Sequence, residues 1–190
     1  HRTRKVIAPK ELDVWCPEHK LGFEYNGLYY HSDAFPNAKW CHKDKSDAVR
    51  TAGGRLVHIW ADDWIYRRTA TETMIRAQLG LLPTVGARET TVAPVNTADA
   101  RTFLEAYHLQ GFTPAQYLGL WEDGVLVACM GFSVAKSVRG NRDTGLWELV
   151  RYCASKRVVG GASRLLSAWK TTGRDGAHWH TLITYCDLSV

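Results

Sequence analysis

Asp13 and Glu24 are the residues whose types and spacing most readily do chemistry in this chain. They lie in ELDVWCPEHKLGFEYNGLYYH, residues 11–31, where side-chain character alternates on either side of a short turn. Alternation with period two around a turn reads as a hairpin: 11–16 going out, 17–20 turning, 21–26 returning. Pairing Cys16 with Leu21 sets Asp13 opposite Glu24. Directly opposed residues have Cβ atoms about 4.5–5.5 Å apart, and like charges there repel. A divalent cation between them is the simplest resolution, and Mg²⁺ selects carboxylate oxygens. Phosphodiester hydrolysis suits such a pair: carboxylates hold the metal beside the phosphate, a base activates water, and a cation or acid steadies the departing oxygen. His31, at the end of the second strand, can be that base or acid, because imidazole titrates near neutral pH. His42 and Lys45 share one face of the next helix and can approach the phosphate. A solvated polar surface would carry the same residue types. Leu12, Val14, Cys16, Leu21, Phe23 and Tyr25 form the apolar face of the hairpin, away from both carboxylates. Asp13→Ala or Glu24→Ala is therefore expected to stop cleavage and spare the fold.

The elements that position these groups follow in order. A charged helix is expected over 41–52, stopped by Gly53-Gly54. RLVHIW, 55–60, reads as a buried strand. A helix over 61–79 follows, with Asp62 or Asp63 as its cap. Strand, strand, helix, strand, helix is a small mixed sheet with helices on it. Residues 81–89, LLPTVGARE, hold a Pro and a Gly and no helical pattern. The domains are therefore drawn as 1–82 and 90–190, with 83–89 as linker. The second half reads as a strand over 90–95 and a helix over 97–108 capped by Asn96. A hairpin follows around Glu122-Asp123-Gly124, then a polar loop over 138–145 and a strand over 146–153. A helix over 161–172 and a strand over 181–186 complete it.

The chain has 190 residues, 45% of them hydrophobic, enough to fill a core. No apolar run is long enough to span a bilayer, and no secretory signal stands at the start. Without an initiator Met, and stopping within a strand, the chain is expected to be truncated at both ends. A net charge of +5 favours an acidic partner such as nucleic acid, though only modestly. The 5 cysteines are scattered and odd in number, which suggests reduced thiols in a cytosolic setting. Cys16 and His19 with Cys41 and His42 offer a zinc set, but their spacing fits no common zinc pattern. VVGGASRLL, 158–166, is a glycine turn entering a helix, a type of place that binds phosphate or pyrophosphate and that also serves as a plain tight turn. Basic residues near loops and helix starts, including Lys136, Arg139, Arg142, Arg151, Lys156, Arg157 and Arg164, suit phosphate contact.

The segments ELDVWCP…KLGFEYNGLYYHSD and CHKDKSDAVRTAGGRLVHIWADDW, within about residues 10–80, resemble the nuclease domain of phage homing endonucleases. Those are related to the very-short-patch-repair endonucleases of the restriction-endonuclease-like, PD-(D/E)xK, superfamily. The resemblance implies a Mg²⁺-dependent endonuclease acting on double-stranded DNA in the cytoplasm of a phage-infected or prophage-bearing bacterium. Asp13 matches the motif aspartate and, with Glu24, would hold the metal; His31, His42 and Lys45 match further catalytic positions. Asn26 stands where the superfamily often has a lysine, and the family's acidic residue on an N-terminal helix lies upstream of this chain's first residue. LGLWEDGVLVACMGF, WELVRYC and VVGGASRLL resemble the GNAT-like domain that follows the nuclease in some of these enzymes. The expected fold is thus mixed α/β: a restriction-endonuclease-like domain, then a GNAT-like α+β domain. In the acyltransferases of that superfamily the turn matching Val159, Gly160, Gly161 and Ala162 holds the coenzyme A pyrophosphate. Asn26, Lys43, Lys136, Arg139, Arg142 and Arg157 are the expected DNA contacts. The alternatives are a GNAT-like acyl- or nucleobase-modifying transferase with a DNA-binding first half, and a catalytically inactive DNA-binding protein.

Overall fold

The hairpin forms as the alternation requires. In a computed structural model describing residues 2–27, 38–134, 146–172 and 181–185, without the side chains of 38–41 and 172, β1 (Val14–Cys16) pairs antiparallel with β2 (Leu21–Asn26). Cys16 stands opposite Leu21 and Trp15 opposite Gly22, the register the sequence predicts. A 3₁₀ turn over Pro17–His19 joins them, with Lys20 in the left-handed region. β3 (Arg55–Trp60) lies parallel to β2, Glu24 beside His58 and Asn26 beside Trp60. Parallel neighbours need a crossover, and α1 (Ala38–Thr51) provides it. Gly53, at φ +79°, ends α1 with its N–H on the Arg50 carbonyl.

The faces of this sheet are not the expected ones. The side bearing Glu24 and Asn26 is the side α1 covers, so these residues are only 7% and 2% exposed. Leu12 is on that side too, beside Trp15 and Gly22, and packs with Val49, Ala48 and Leu56. Before β1 begins, Leu12 is bridged to Thr3, so strict alternation does not reach back to it. On the opposite side Leu21 and Phe23 are buried, while Val14 and Tyr25 are exposed. The helix expected over 61–79 is two helices, α2 (Ala61–Tyr66) and α3 (Arg68–Gln78), interrupted at Arg67. Asp62 and Asp63 sit in the first turn of α2 and neither caps it.

The described chain is mixed α/β and divides into two units between Arg68 and Thr69. In the second unit, β4 (Thr84–Gly86) is followed by β5 (Thr91–Val95), α4 (Thr97–Tyr107), β6 (Gln116–Glu122), β7 (Val125–Val134) and β8 (Leu146–Ala154). β9 (Arg157–Val159), α5 (Gly161–Thr172) and β10 (Thr181–Thr184) complete it. Five strands form one sheet in the order β10-β8-β7-β6-β5. Pro94, which has no N–H to give a ladder, sits on its edge strand β5. Asn96 caps α4 as expected, its side chain accepting the Asp99 N–H at 2.9 Å. Asp123 and Gly124, at φ +49° and +80°, make the tight β6–β7 turn with both residues at positive φ.

The segment 83–89 is not a linker. β4 pairs in parallel with β9, and Val85 and Ala87 are buried. Pro83 and Gly86 give it a linker's composition, but its apolar side chains tie it to the second unit. One face of the five-stranded sheet packs Val95, Tyr117 and Cys129 against Ala100, Phe103 and Leu104 of α4. The other packs Leu120, Met130, Phe132 and Trp147 against Leu165 and Trp169 of α5, Phe132 and Trp169 stacking at 4.3 Å. Among the described residues, no helix is long and apolar enough to cross a membrane.

Candidate active site

The regular β1–β2 ladder stops at Val14, and side chains take over from there. The Asp13 N–H donates to Glu24 Oε1 at 2.8 Å, and the Tyr25 N–H donates to Asp13 Oδ2 at 3.0 Å. The two carboxylates are therefore neighbours, as the hairpin register predicts. Protein donors meet both of them. Each accepts a backbone N–H from the opposite strand, and Lys45 of α1 pairs with Glu24 Oε2. The pair is largely shielded, with side-chain exposures of 18% for Lys45 and 10% for Glu24. Lys45 reaches this pair from the crossover helix α1.

Two further side chains, His58 of β3 and Ser46 of α1, join this cluster. His58 lies beside Glu24 across the parallel β2–β3 pairing and is 4% exposed. Its Nδ1 meets Asn26 Nδ2 at 3.1 Å, and its Nε2 meets Ser46 Oγ at 2.9 Å. His42 does reach this face. Its ring lies edge-on to His58 at 5.1 Å and to Trp60 at 5.0 Å. The only hint in the sequence was a polar residue at a strand position, in RLVHIW, whose neighbours are apolar.

The remaining expected site residues scatter. Asn26, expected to contact DNA, is buried with its amide on His58. Lys43 is exposed on α1, and Arg157 is exposed on β9. Arg151 donates to the Gly111 and Val150 carbonyls, and Lys156 pairs with Glu122 at 2.5 Å, so both serve the second unit internally. His31, Lys136, Arg139 and Arg142 lie outside the described residues. Of the zinc set, the Cys41 side chain lies outside the described residues, and Cys16 and His42 are on different sides of the sheet. Cys16 alternates to the face opposite Trp15, whereas His42 packs on the α1 side. Among the described residues no three His, Cys, Asp or Glu side chains gather into a metal-binding group.

The second unit holds a cleft of about 560 Å³ between residues 86–89 and the start of α5, lined also by Val159, Gly160 and Arg164. Gly161 is buried and Ala162 exposed at that helix start. Glu89 accepts the Gly86 N–H at 2.9 Å and brings a negative charge into the same cleft. Cys129 and Cys153 face each other across β7 and β8. Burial pushes the Cys129 thiol up to about 12 and raises Cys153 as well, so both stay protonated and unreactive near neutral pH. Tyr117, pushed up to about 12 chiefly by burial, donates its hydroxyl to the Thr113 carbonyl and is likewise structural. Comparison with protein-family models, with curated proteins and with solved structures finds no match to this chain.

Proposed function

We propose that the chain is a metal-dependent DNA endonuclease of phage homing type, with a restriction-endonuclease-like first unit and a GNAT-like second. The observation that carries this reading is the meeting of Asp13, Glu24 and Lys45: a carboxylate just before β1, one on β2 and a cation from the helix that joins β2 to β3. These residues fit Mg²⁺. That ion is held by one or two carboxylates, with waters and substrate phosphate completing its shell. Asp13 and Glu24 would hold it, since a carboxylate offers about four lone-pair sites and their hydrogen bonds to Tyr25, Asp13 and Lys45 leave others for a cation. When bound, the metal supplies an acidified water and neutralises charge at the phosphate. The chain's own groups do the rest. The Asp13 and Tyr25 amides aim the two carboxylates, and Lys45 fixes Glu24 while adding a positive charge where a phosphate must sit. Lys43, exposed on the same helix, and the net charge of +5 favour the DNA backbone. The test is plasmid nicking. Supercoiled DNA is expected to be nicked in Mg²⁺ and left intact in EDTA. Intact DNA in both, with a retained gel shift, would favour the inactive DNA-binding reading; intact DNA without a shift sinks both.

The cleft at α5 favours the second reading, a GNAT-like transferase. Arg88, Arg164 and the amide end of a 12-residue helix attract a pyrophosphate there, and Glu89 opposes one. Under that reading, calorimetric titration with coenzyme A gives saturable binding that Arg164→Ala weakens about tenfold, the value of one charged hydrogen bond. No heat at millimolar coenzyme A removes it.

A further inference from the structure

We propose that His58 is a positioning residue of the candidate active site: it holds the turn of α1 that carries Lys45 in register with Glu24. The role rests on the endonuclease reading of that site. His58 stands in a strand whose neighbour Val57 is buried and whose Leu56 packs against Leu12 and Val49. An apolar side chain would satisfy packing there. A buried imidazole is costly unless both nitrogens find partners, and both do. The amide nitrogen of Asn26 can only donate, so Nδ1 accepts. The neutral ring then carries its hydrogen on Nε2 and donates it to Ser46 Oγ.

The two partners are what give this ring a role at the site. Asn26 is two residues beyond Glu24 on the same strand face, and Ser46 directly follows Lys45. A chain of hydrogen bonds therefore runs from the strand of Glu24, through Asn26 and His58, to the helical turn of Lys45. Hydrophobic contact alone fixes the height of α1 above the sheet but is tolerant of rotation about the helix axis. Each residue advances the helix by about 100°, so a one-residue slip would swing Lys45 away from Glu24. The directional bond to Ser46 opposes that rotation. His42, one turn earlier and edge-on to both His58 and Trp60, is a second point of attachment on β3.

The experiment is single-turnover cleavage with Mg²⁺ by the parent, His58→Gln, His58→Asn, Ser46→Ala and the His58→Asn/Ser46→Ala double variant, each checked for folding by circular dichroism. Gln reaches to where Nε2 stands and keeps a donor for Ser46; Asn ends near Nδ1 and loses it. We expect His58→Asn and Ser46→Ala each to lower kcat about 100-fold, the cost of a misplaced catalytic group, with KM for DNA unchanged. The double variant should be no worse than either single one, because both break the same link. His58→Gln should restore most of the rate. If His58→Asn does not fold, Ser46→Ala, which removes one hydroxyl, carries the test alone. Parent-like kcat in Ser46→Ala, multiplicative losses in the double variant, or losses confined to KM overturn the role of His58 and leave the endonuclease reading standing. A parent protein that never cuts overturns both.

Discussion

Asp13→Asn is expected to leave supercoiled plasmid intact in Mg²⁺ under conditions where the parent nicks it, a loss of about 1000-fold in rate, while unfolding in urea at nearly the parent midpoint. The substitution is isosteric. The Tyr25 N–H still finds an oxygen at position 13, and the backbone N–H that serves Glu24 is untouched. What disappears is one of the two negative charges that would hold the metal. Charge stabilisation by a bound cation is worth several kilocalories per mole, and about 4 kcal/mol corresponds to about three decades of rate. The variant is a sharper probe than Asp13→Ala, which strips the Tyr25 N–H of its partner as well as removing the charge. Parent-rate cutting by Asp13→Asn would move the catalytic centre off this hairpin.

The parts of the site that were legible in the sequence are those fixed by short-range rules. The period-two pattern and the Cys16–Leu21 closure set Asp13 beside Glu24, and a helical face put His42 and Lys45 on one side. The side of the sheet was not legible. Glu24 and Asn26 fall on the face opposite the expected apolar one, yet α1 covers them, because Leu12, Trp15 and Leu56 on the same side attract the helix's Val49. His58 was hidden for a different reason. Its neighbour in the site, Glu24, comes from a strand far away in sequence, and the register of a parallel pair depends on a long crossover, not on a local turn. The opposed carboxylates also meet donors that no sequence pattern reveals, namely two backbone N–H groups and the Lys45 ammonium. In the second unit, Pro83 and Gly86 suggested a linker. β4 became visible only through its distant partner β9.

The burial of Glu24 changes what its replacement should do. Glu24→Leu is expected to destabilise the protein by about 3 kcal/mol in urea unfolding, because it strands the Lys45 ammonium in a site only 18% exposed. It also removes the acceptor of the Asp13 N–H. The expectation that either carboxylate could be removed without harm to the fold therefore gives way at Glu24. Adding Lys45→Met should recover most of the loss. A shielded ion pair costs desolvation of both members, and apolar side chains of similar volume in its place are often neutral or stabilising. Cleavage should nevertheless stay abolished in the double variant, since both the carboxylate and the ammonium are gone. Stability returning without activity would identify the pair as retained for chemistry at a cost to the fold. If the double variant were instead as unstable as Glu24→Leu alone, the unsatisfied Asp13 amide, and not the stranded lysine, would dominate the loss, and the pairing of Lys45 with Glu24 would have no energetic weight.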